Sequence, residues 1–541
     1  LCRVASAERS QRGTKSVVGR LRKDGNVTTH DHFDCIIIGP HEIDFPIVES
    51  KLKKMGEQSA AYRVLKANSV SFRGERMPYF QMLNQLLTTA TGQPSHLHVC
   101  ELPSLALCHL KSFLSKQQLN VEIINFFPFE KARLLSLLAQ SPIAVAITTT
   151  FYVDSDTVIE IVRFIREHNP YTKIIVGGPY ILNVCTTYDT EAQNFIFKTI
   201  GADIYIGDSQ GELTLSQLLH ELRNTHNQNL NRVPNLTYTF NNTTFQRTPR
   251  LIENNNINES IVDWQLFDQA YYTPTVQMRT ARSCSFSCAF CQYPSLGGPL
   301  SLNSMDVIEH QLRLFQEAGV KNVVFIDDTF NVPLPRFKAI CRMIIKNKFD
   351  FNWFSFFRCA NSDDEAFDLM QASGCKGVFL GIESGDDTIL TNMHKSASIN
   401  RYRRGISKLR ERDIITFASF IVGFPGETQE TIKNTIDFIT ETEPTFYRAE
   451  LYYHYTSVPI HQQAEQYGIR GSGYHWKHNT MDWQEACDMV DVMYKTITGP
   501  LIMPGYMFDF WSIPYLMGKG LSPDQLTRFM RVARDALVQS L

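Results

Sequence analysis

Short apolar runs followed by amphipathic stretches recur along most of this chain, and they do so in two separate series. In the first series, apolar runs stand at 34–39, 121–125, 143–149, 173–179 and 202–207, with helical periodicity between them, as at 155–167. Runs of four to seven apolar residues ending in glycine or a small polar residue read as buried parallel strands. Strands alternating with helices predict a doubly wound α/β sheet, Rossmann-like, with ligands beyond the carboxyl ends of its strands. Thr148 to Thr150 and Gly177 to Pro179 stand at such ends. An insertion-like region, about 40–97, interrupts the series. A second series has strands predicted at 275–281, 322–328, 352–359, 377–383, 416–423 and 449–455. Six such strands make a partial or complete parallel barrel, whose active site lies on the loops after the strands. Polar, asparagine-rich stretches at 224–235 and 241–258 read as a linker around a short hairpin.

The expected domains are 1–30, a basic tail without order; 31–250, the first α/β unit with its linker; 251–456, the barrel; and 457–541, a helical unit rich in aromatic residues. The basic tail carries Arg3, Arg9, Arg12, Lys15, Arg20, Arg22 and Lys23 against Glu8 and Asp24, and it lacks the apolar segment of a signal peptide. A net charge of −2 gives no reason to expect nucleic acid or an anionic membrane as partner. No apolar run approaches the ~20 residues of a spanning helix. Twelve cysteines, scattered apart from one cluster, suit a reducing cytoplasm rather than a disulfide framework.

That cluster is Cys284, Cys288 and Cys291, just after the first barrel strand. Three thiolates from one loop suit a metal ion or an iron–sulfur cluster with one open position. A structural zinc site is the bland alternative, weakened by the lack of a local fourth ligand.

The CxxxCxxC loop, with the aromatic Phe290 before its third cysteine, resembles that of the radical S-adenosylmethionine (SAM) superfamily. The resemblance implies a [4Fe–4S] cluster on the three cysteines, whose open iron takes SAM, and reductive cleavage of SAM to a 5′-deoxyadenosyl radical. It extends to Asp327 and Asp328 after the second strand, to Glu383 and Ser384 in Gly381-Ile382-Glu383-Ser384-Gly385, and to Gly423, Pro425 and Gly426 in Gly423-Phe424-Pro425-Gly426-Glu427-Thr428. These positions are thereby implied to contact SAM, as is Arg358, either on the SAM carboxylate or on a neighbouring acid. The first unit resembles the cobalamin-binding domain that precedes many such barrels, but it lacks the DxHxxG motif whose histidine ligates cobalt. His41 stands nearby in the wrong context, so the domain either holds cobalamin without that ligand or is a relic.

Over its length the chain resembles the proteusin-type peptide epimerases and the related phosphinate P-methyltransferase group. Epimerisation of L to D residues in a ribosomal precursor peptide needs a hydrogen donor opposite the abstracted hydrogen. Cys359, at the end of the third strand, is the candidate, with a buried inert cysteine as the alternative. Cobalamin-dependent methyl transfer and a non-catalytic sensor are the other readings. The implied partners are a precursor peptide and an electron donor of flavodoxin or ferredoxin type. Cys375 begins the fourth strand and reads as structural. The aromatic residues after 457 read as a lid or a core covering the barrel, with no chemistry assigned to His475 or His478.

Overall fold

The computed structural model describes residues 33–224 and 229–541. The basic segment 1–30 and part of the asparagine-rich linker lie outside them.

Both expected sheets form. In the first, five parallel strands stand side by side in the order Val121–Ile124, Cys35–Ile38, Ala144–Thr148, Lys173–Gly177 and Ile204–Ile206. Leu236–Tyr238 and Gln246–Arg247, the linker hairpin, extend that edge antiparallel. Numbered along the chain, the parallel strands run 2-1-3-4-5, so the winding reverses at Cys35–Ile38, where such sheets open a ligand crevice. The strands are mostly apolar because both faces are covered, with Glu122 and Lys173 as charged exceptions. Ile36 and Ile38 pack with Val145, Ile147 and Val176 on one face, and Cys35 and Ile37 with Ala144, Ala146 and Ile175 on the other. The helix Asp156–His168 buries Val158, Ile161, Val162 and Ile165, one stripe at helical spacing.

The second sheet is parallel from Thr275–Met278 through Asn322–Phe325, Asn352–Phe356, Cys375–Glu383 and Ile415–Val422 to Phe446–Leu451. A seventh short strand, Leu501–Ile502, pairs parallel with the last of these. The first and last strands do not pair, so the barrel is partial. The helix Ser512–Gly518 plugs its amino-terminal end, where the Pro514 carbonyl accepts from Thr275 Oγ1 at 3.2 Å and Asn322 Nδ2 at 3.2 Å.

Two regions differ in kind from the sequence reading. The insertion is a barrel element. Its helices Ala60–Ala67 and Tyr79–Thr91 and the hairpin between them belong to the barrel's core. Tyr79 packs on Phe508 and Phe529, and Arg63 donates to Asp488 at 2.7 Å and Asp491 at 2.8 Å. The C-terminal helices are joined by a three-stranded antiparallel sheet, Arg470–Ser472, His475–His478 and Met481–Asp482. Asp482 then caps the helix Trp483–Thr496, accepting from the Gln484 and Glu485 amides. No described helix is long and apolar enough to cross a membrane.

The small sheet closes over the turn that ends the fifth barrel strand. Gly423 has φ +91°, and any side chain there would collide with the buried Trp476 ring. Gly423 N also donates to Glu427 Oε2 at 2.5 Å. Burial pushes the Glu427 carboxyl up to about 8. In the native protein it therefore holds a proton that the unfolded chain releases above about pH 4.5. The unfolded state then binds fewer protons, so this group's contribution to stability is full below about pH 4.5 and is lost as pH rises to about 8. Denaturant unfolding of Glu427→Gln across that window should show a flatter stability profile than the parent, by a few kcal/mol at most.

Candidate active site

The three cysteines sit on a loop gripped at its start and at its middle. Asp327, at the end of the second barrel strand, accepts from Thr280 N at 2.5 Å, from Ala281 N at 2.9 Å and from the Thr280 hydroxyl. Arg336 donates to the Thr280 carbonyl at 2.8 Å. Further on, Ala289 N donates to Met393 O at 2.9 Å, and Ala289 O accepts from Ile460 N at 2.9 Å. Cys291 N donates back to Cys288 O at 3.0 Å, which folds the CxxC segment into a turn.

The aromatic residues between the cysteines each hold a cation on one face. The Arg358 guanidinium lies 3.5 Å from the Phe286 ring centre, and Lys395 Nζ lies 5.3 Å from that of Phe290. Such cation–π contacts are worth ~0.5–2 kcal/mol each, more when desolvated. Arg358 Nη1 also stands 4.0 Å from Cys288 Sγ, and its Nη2 donates to the Lys395 carbonyl. Lys395 Nζ donates to Glu383 Oε1 at 2.8 Å, in an ion pair whose side chains are 7% and 11% exposed. Glu383 adopts φ +72°, an unfavourable region for a residue with a Cβ, and the buried pair holds it there. Cys284 Sγ lies 3.9 Å from Thr329 Oγ1. Burial raises the Cys291 thiol, and the nearby Cys288 and Cys284 sulfurs raise it further. Among the described residues no three His, Cys, Asp or Glu side chains converge on one point as a preformed metal site. The donor set still suits an iron–sulfur cluster: three soft thiols carried on one loop.

The structure thus gathers Cys284, Cys288, Cys291, Phe290, Arg358 and Glu383 into one cluster of contacts. It gives other predicted contacts different work. The Asp327 carboxylate is occupied in holding the loop's backbone. Ser384 is fully buried and accepts from Asp386 N at 3.2 Å. Gly423 and Gly426 have φ +91° and +93° and lie against Trp476 and Asn392, so backbone geometry and packing account for the glycines of the Gly423-Phe424-Pro425-Gly426 turn. Asp328 is accessible beside Tyr293, and burial of its surroundings together with Asp327 lifts its carboxyl to about 6.

Cys359, the candidate hydrogen donor, is enclosed by its surroundings. It lies under the helix Ile399–Arg410, so close to Gly405 that a Cβ there would stand 2.8 Å from the sulfur. The residue is 1% exposed, and burial pushes its thiol up to about 12. A thiol so placed behaves as a small hydrophobe. Cys359→Ala should leave SAM cleavage and product unchanged and cost about 1 kcal/mol of stability, read from paired turnover and unfolding curves.

Three residues escaped the sequence reading. Phe286 and Lys395 complete the cation–aromatic contacts around the cysteines. Arg279, just past the first barrel strand, borders a large cleft between the two sheets. That cleft has a volume of about 340 Å³. On one side stand the carboxyl ends of the first sheet, with Thr148, Thr150, Gly178 and Asp208; on the other stand the barrel residues Gln277, Arg279 and Tyr293.

A model of the radical SAM superfamily matches residues 278–439, the span from the first barrel strand into the helix Gln429–Thr442. The chain carries a radical SAM domain. Its implied cofactors are a [4Fe–4S] cluster and SAM. An uncharacterised methyltransferase of Pyrococcus horikoshii is 26% identical over 347 residues, 62% of this chain and 72% of that protein. The ribosomal protein uS12 methylthiotransferase RimO of Heliobacterium modesticaldum is 29% identical over 175 residues, only 38% of its own length. Among solved structures, the radical SAM methyltransferase TsrM of Kitasatospora setae, with cobalamin and a [4Fe–4S] cluster bound, aligns at TM-score 0.59 and 18% identity over 80% of this chain and 97% of that one. The cobalamin-dependent radical SAM enzyme OxsB aligns at TM-score 0.51 and 19% identity over 62% and 49%. The likeness to TsrM, over 80% of this chain, extends well beyond residues 278–439 of the radical SAM match.

Proposed function

We propose that this radical SAM enzyme is a cobalamin-dependent methyltransferase. The observation that carries the reading is the cleft. It joins the carboxyl ends of a 2-1-3-4-5 sheet, where such folds seat their ligands, to the mouth of the cysteine-bearing barrel. The likeness to TsrM over 80% of this chain supports it, as does the methyltransferase name of the Pyrococcus relative.

The lining fits the group. Gly178, at φ +105°, brings bare backbone to the cleft, where a Cβ would stand 2.9 Å from Thr149 Oγ1. Asp208 is 3% exposed, and its Oδ2 has no hydrogen-bond partner among the described residues. That oxygen is suited to an amide or hydroxyl donor, which a corrinoid carries in number. His41 is not a cobalt ligand here. It is buried against Phe127, with Nε2 3.1 Å from Glu160, outside the cleft lining.

When bound, the cluster supplies the electron that cleaves SAM, and cobalamin supplies a transferable methyl group. The protein's part is positional. Cys284, Cys288 and Cys291 hold the cluster at the barrel mouth. Asp327 and Arg336 fix the head of their loop, and the Arg358 guanidinium packs against Phe286 and Cys288. Thr148, Thr150, Gly178 and Asp208 seat the corrinoid beyond the first sheet. The electron is supplied by a small donor of flavodoxin or ferredoxin type. Epimerisation has less support, since the one thiol expected to return hydrogen, Cys359, does not line the cleft.

Cobalamin content tests the reading. Full-length protein purified from cobalamin-fed cells should retain about one cobalamin per chain, with the absorption spectrum of a cobalt lacking a histidine ligand. Protein that carries a complete cluster yet takes up no cobalamin overturns it.

A further inference from the structure

Arg279 borders the cleft at the point where the barrel meets the first sheet, and its charge is unmatched by any direct contact. It follows the strand Thr275–Met278 and is only partly exposed. Among the described residues it makes no hydrogen bond, ion pair or ring contact. The neighbouring arginine behaves differently. Arg282 donates to Gln210 Oε1 at 2.7 Å, to the Asn255 carbonyl at 3.0 Å and to Asn254 Oδ1 at 3.0 Å, so its head group is committed to the linker. Arg336, also nearby, is committed to Thr280.

The groups around Arg279 do not replace a partner. Glu212 and Asp328 both feel its charge, but neither makes an ion pair with it. Glu212 Oε2 instead accepts from Asn255 at 3.2 Å. His109 lies on the cleft wall beside Arg279, and burial with that cation holds it neutral. A guanidinium presents five donors in a planar fork that matches a carboxylate or a tetrahedral phosphorus oxyanion. Holding one in a partly enclosed wall without a partner is costly, and an anionic ligand would remove that cost.

We infer that Arg279 is the anchor for an oxyanion on the substrate, a carboxylate or a phosphorus acid, which it holds at the barrel side of the cleft. This rests on the cleft being the methyl-transfer chamber, and it narrows the substrate to acids. Arg279 lines the cleft from the barrel, and Gly178 and Asp208 line it from the first sheet. The SAM carboxylate is the other source of the same chemistry, and the test separates the two.

The probes are benzoate, phenylphosphonate and neutral benzamide, titrated into cluster-reconstituted full-length protein and followed by saturation-transfer NMR. A parallel equilibrium dialysis measures binding of radiolabelled SAM. Benzoate or phenylphosphonate should bind saturably and benzamide at least tenfold more weakly. Arg279→Gln should weaken the anions at least tenfold and Arg279→Lys less, with SAM affinity within twofold of the parent in both. Equal binding of benzoate and benzamide to the parent overturns the inference without any variant. So does an Arg279→Gln protein that keeps the anion affinity, or one that loses SAM affinity tenfold, which would place the SAM carboxylate on Arg279. None of these readouts requires cobalamin, so failure here and failure of the methyl-transfer reading are told apart by cobalamin uptake.

Discussion

Cys288→Ala loses its iron and sulfide on reconstitution, and reductive SAM cleavage falls at least about a thousandfold, a barrier increase of about 4 kcal/mol. Cys288 is the most buried of the three loop cysteines, 4.0 Å from the Arg358 guanidinium. Its removal leaves two thiols in a loop that depends on three, and it leaves the guanidinium facing no sulfur. The fold should survive, because the loop's backbone is held by Asp327, Met393 and Ile460 rather than by the thiols. Far-ultraviolet circular dichroism and the unfolding midpoint should therefore stay near the parent values while iron content collapses. Cys359→Ala is the matched control: the same substitution in the same barrel, with iron, sulfide and turnover preserved. If both variants lose iron, the loop is not the specific cluster site.

Lys395→Met destabilises the protein by about 3–5 kcal/mol, the usual result of removing one member of a buried ion pair. The remaining Glu383 carboxylate is 11% exposed and already sits in left-handed backbone. The ammonium is also the cation over Phe290, so the change loosens the residue before Cys291. The double variant Glu383→Leu/Lys395→Met should recover much of the loss in urea unfolding, since it leaves no unpaired charge. It should not recover SAM turnover, because the contacts beside the cysteine loop are still missing. A single variant as stable as the parent would show that the pair contributes little.

The sheets were legible because their strands are buried on both faces and read as largely apolar runs, such as Cys35 to Ile38 and Ala144 to Ile147. The cysteine loop was legible because its three ligands are close in sequence. Other features depend on residues far apart in the chain. Asp327 sits where a cofactor contact was expected, and only the positions of the Thr280 and Ala281 amides show that its carboxylate is occupied. Cys359 ends its strand as expected, but Gly405, 46 residues later, lets a helix close over its sulfur. The glycines of the Gly423-Phe424-Pro425-Gly426 turn match a cofactor-contact pattern, and the structure accounts for them through Trp476, more than 50 residues on. The insertion at 40–97 gave no periodic sign that its core partners are the C-terminal helices. Arg279 carried no sequence signal at all, since its distinguishing property is the lack of a partner.

The account rests on the cleft between the sheets serving methyl transfer. Anaerobic, reduced, cobalamin-loaded protein mixed with SAM carrying a 13C-labelled methyl group tests this most directly, without the physiological substrate. The account predicts one equivalent of S-adenosylhomocysteine per bound cobalamin, with the labelled methyl group retained on the protein fraction. Release of 5′-deoxyadenosine and methionine alone, with the label entirely in methionine, would contradict it.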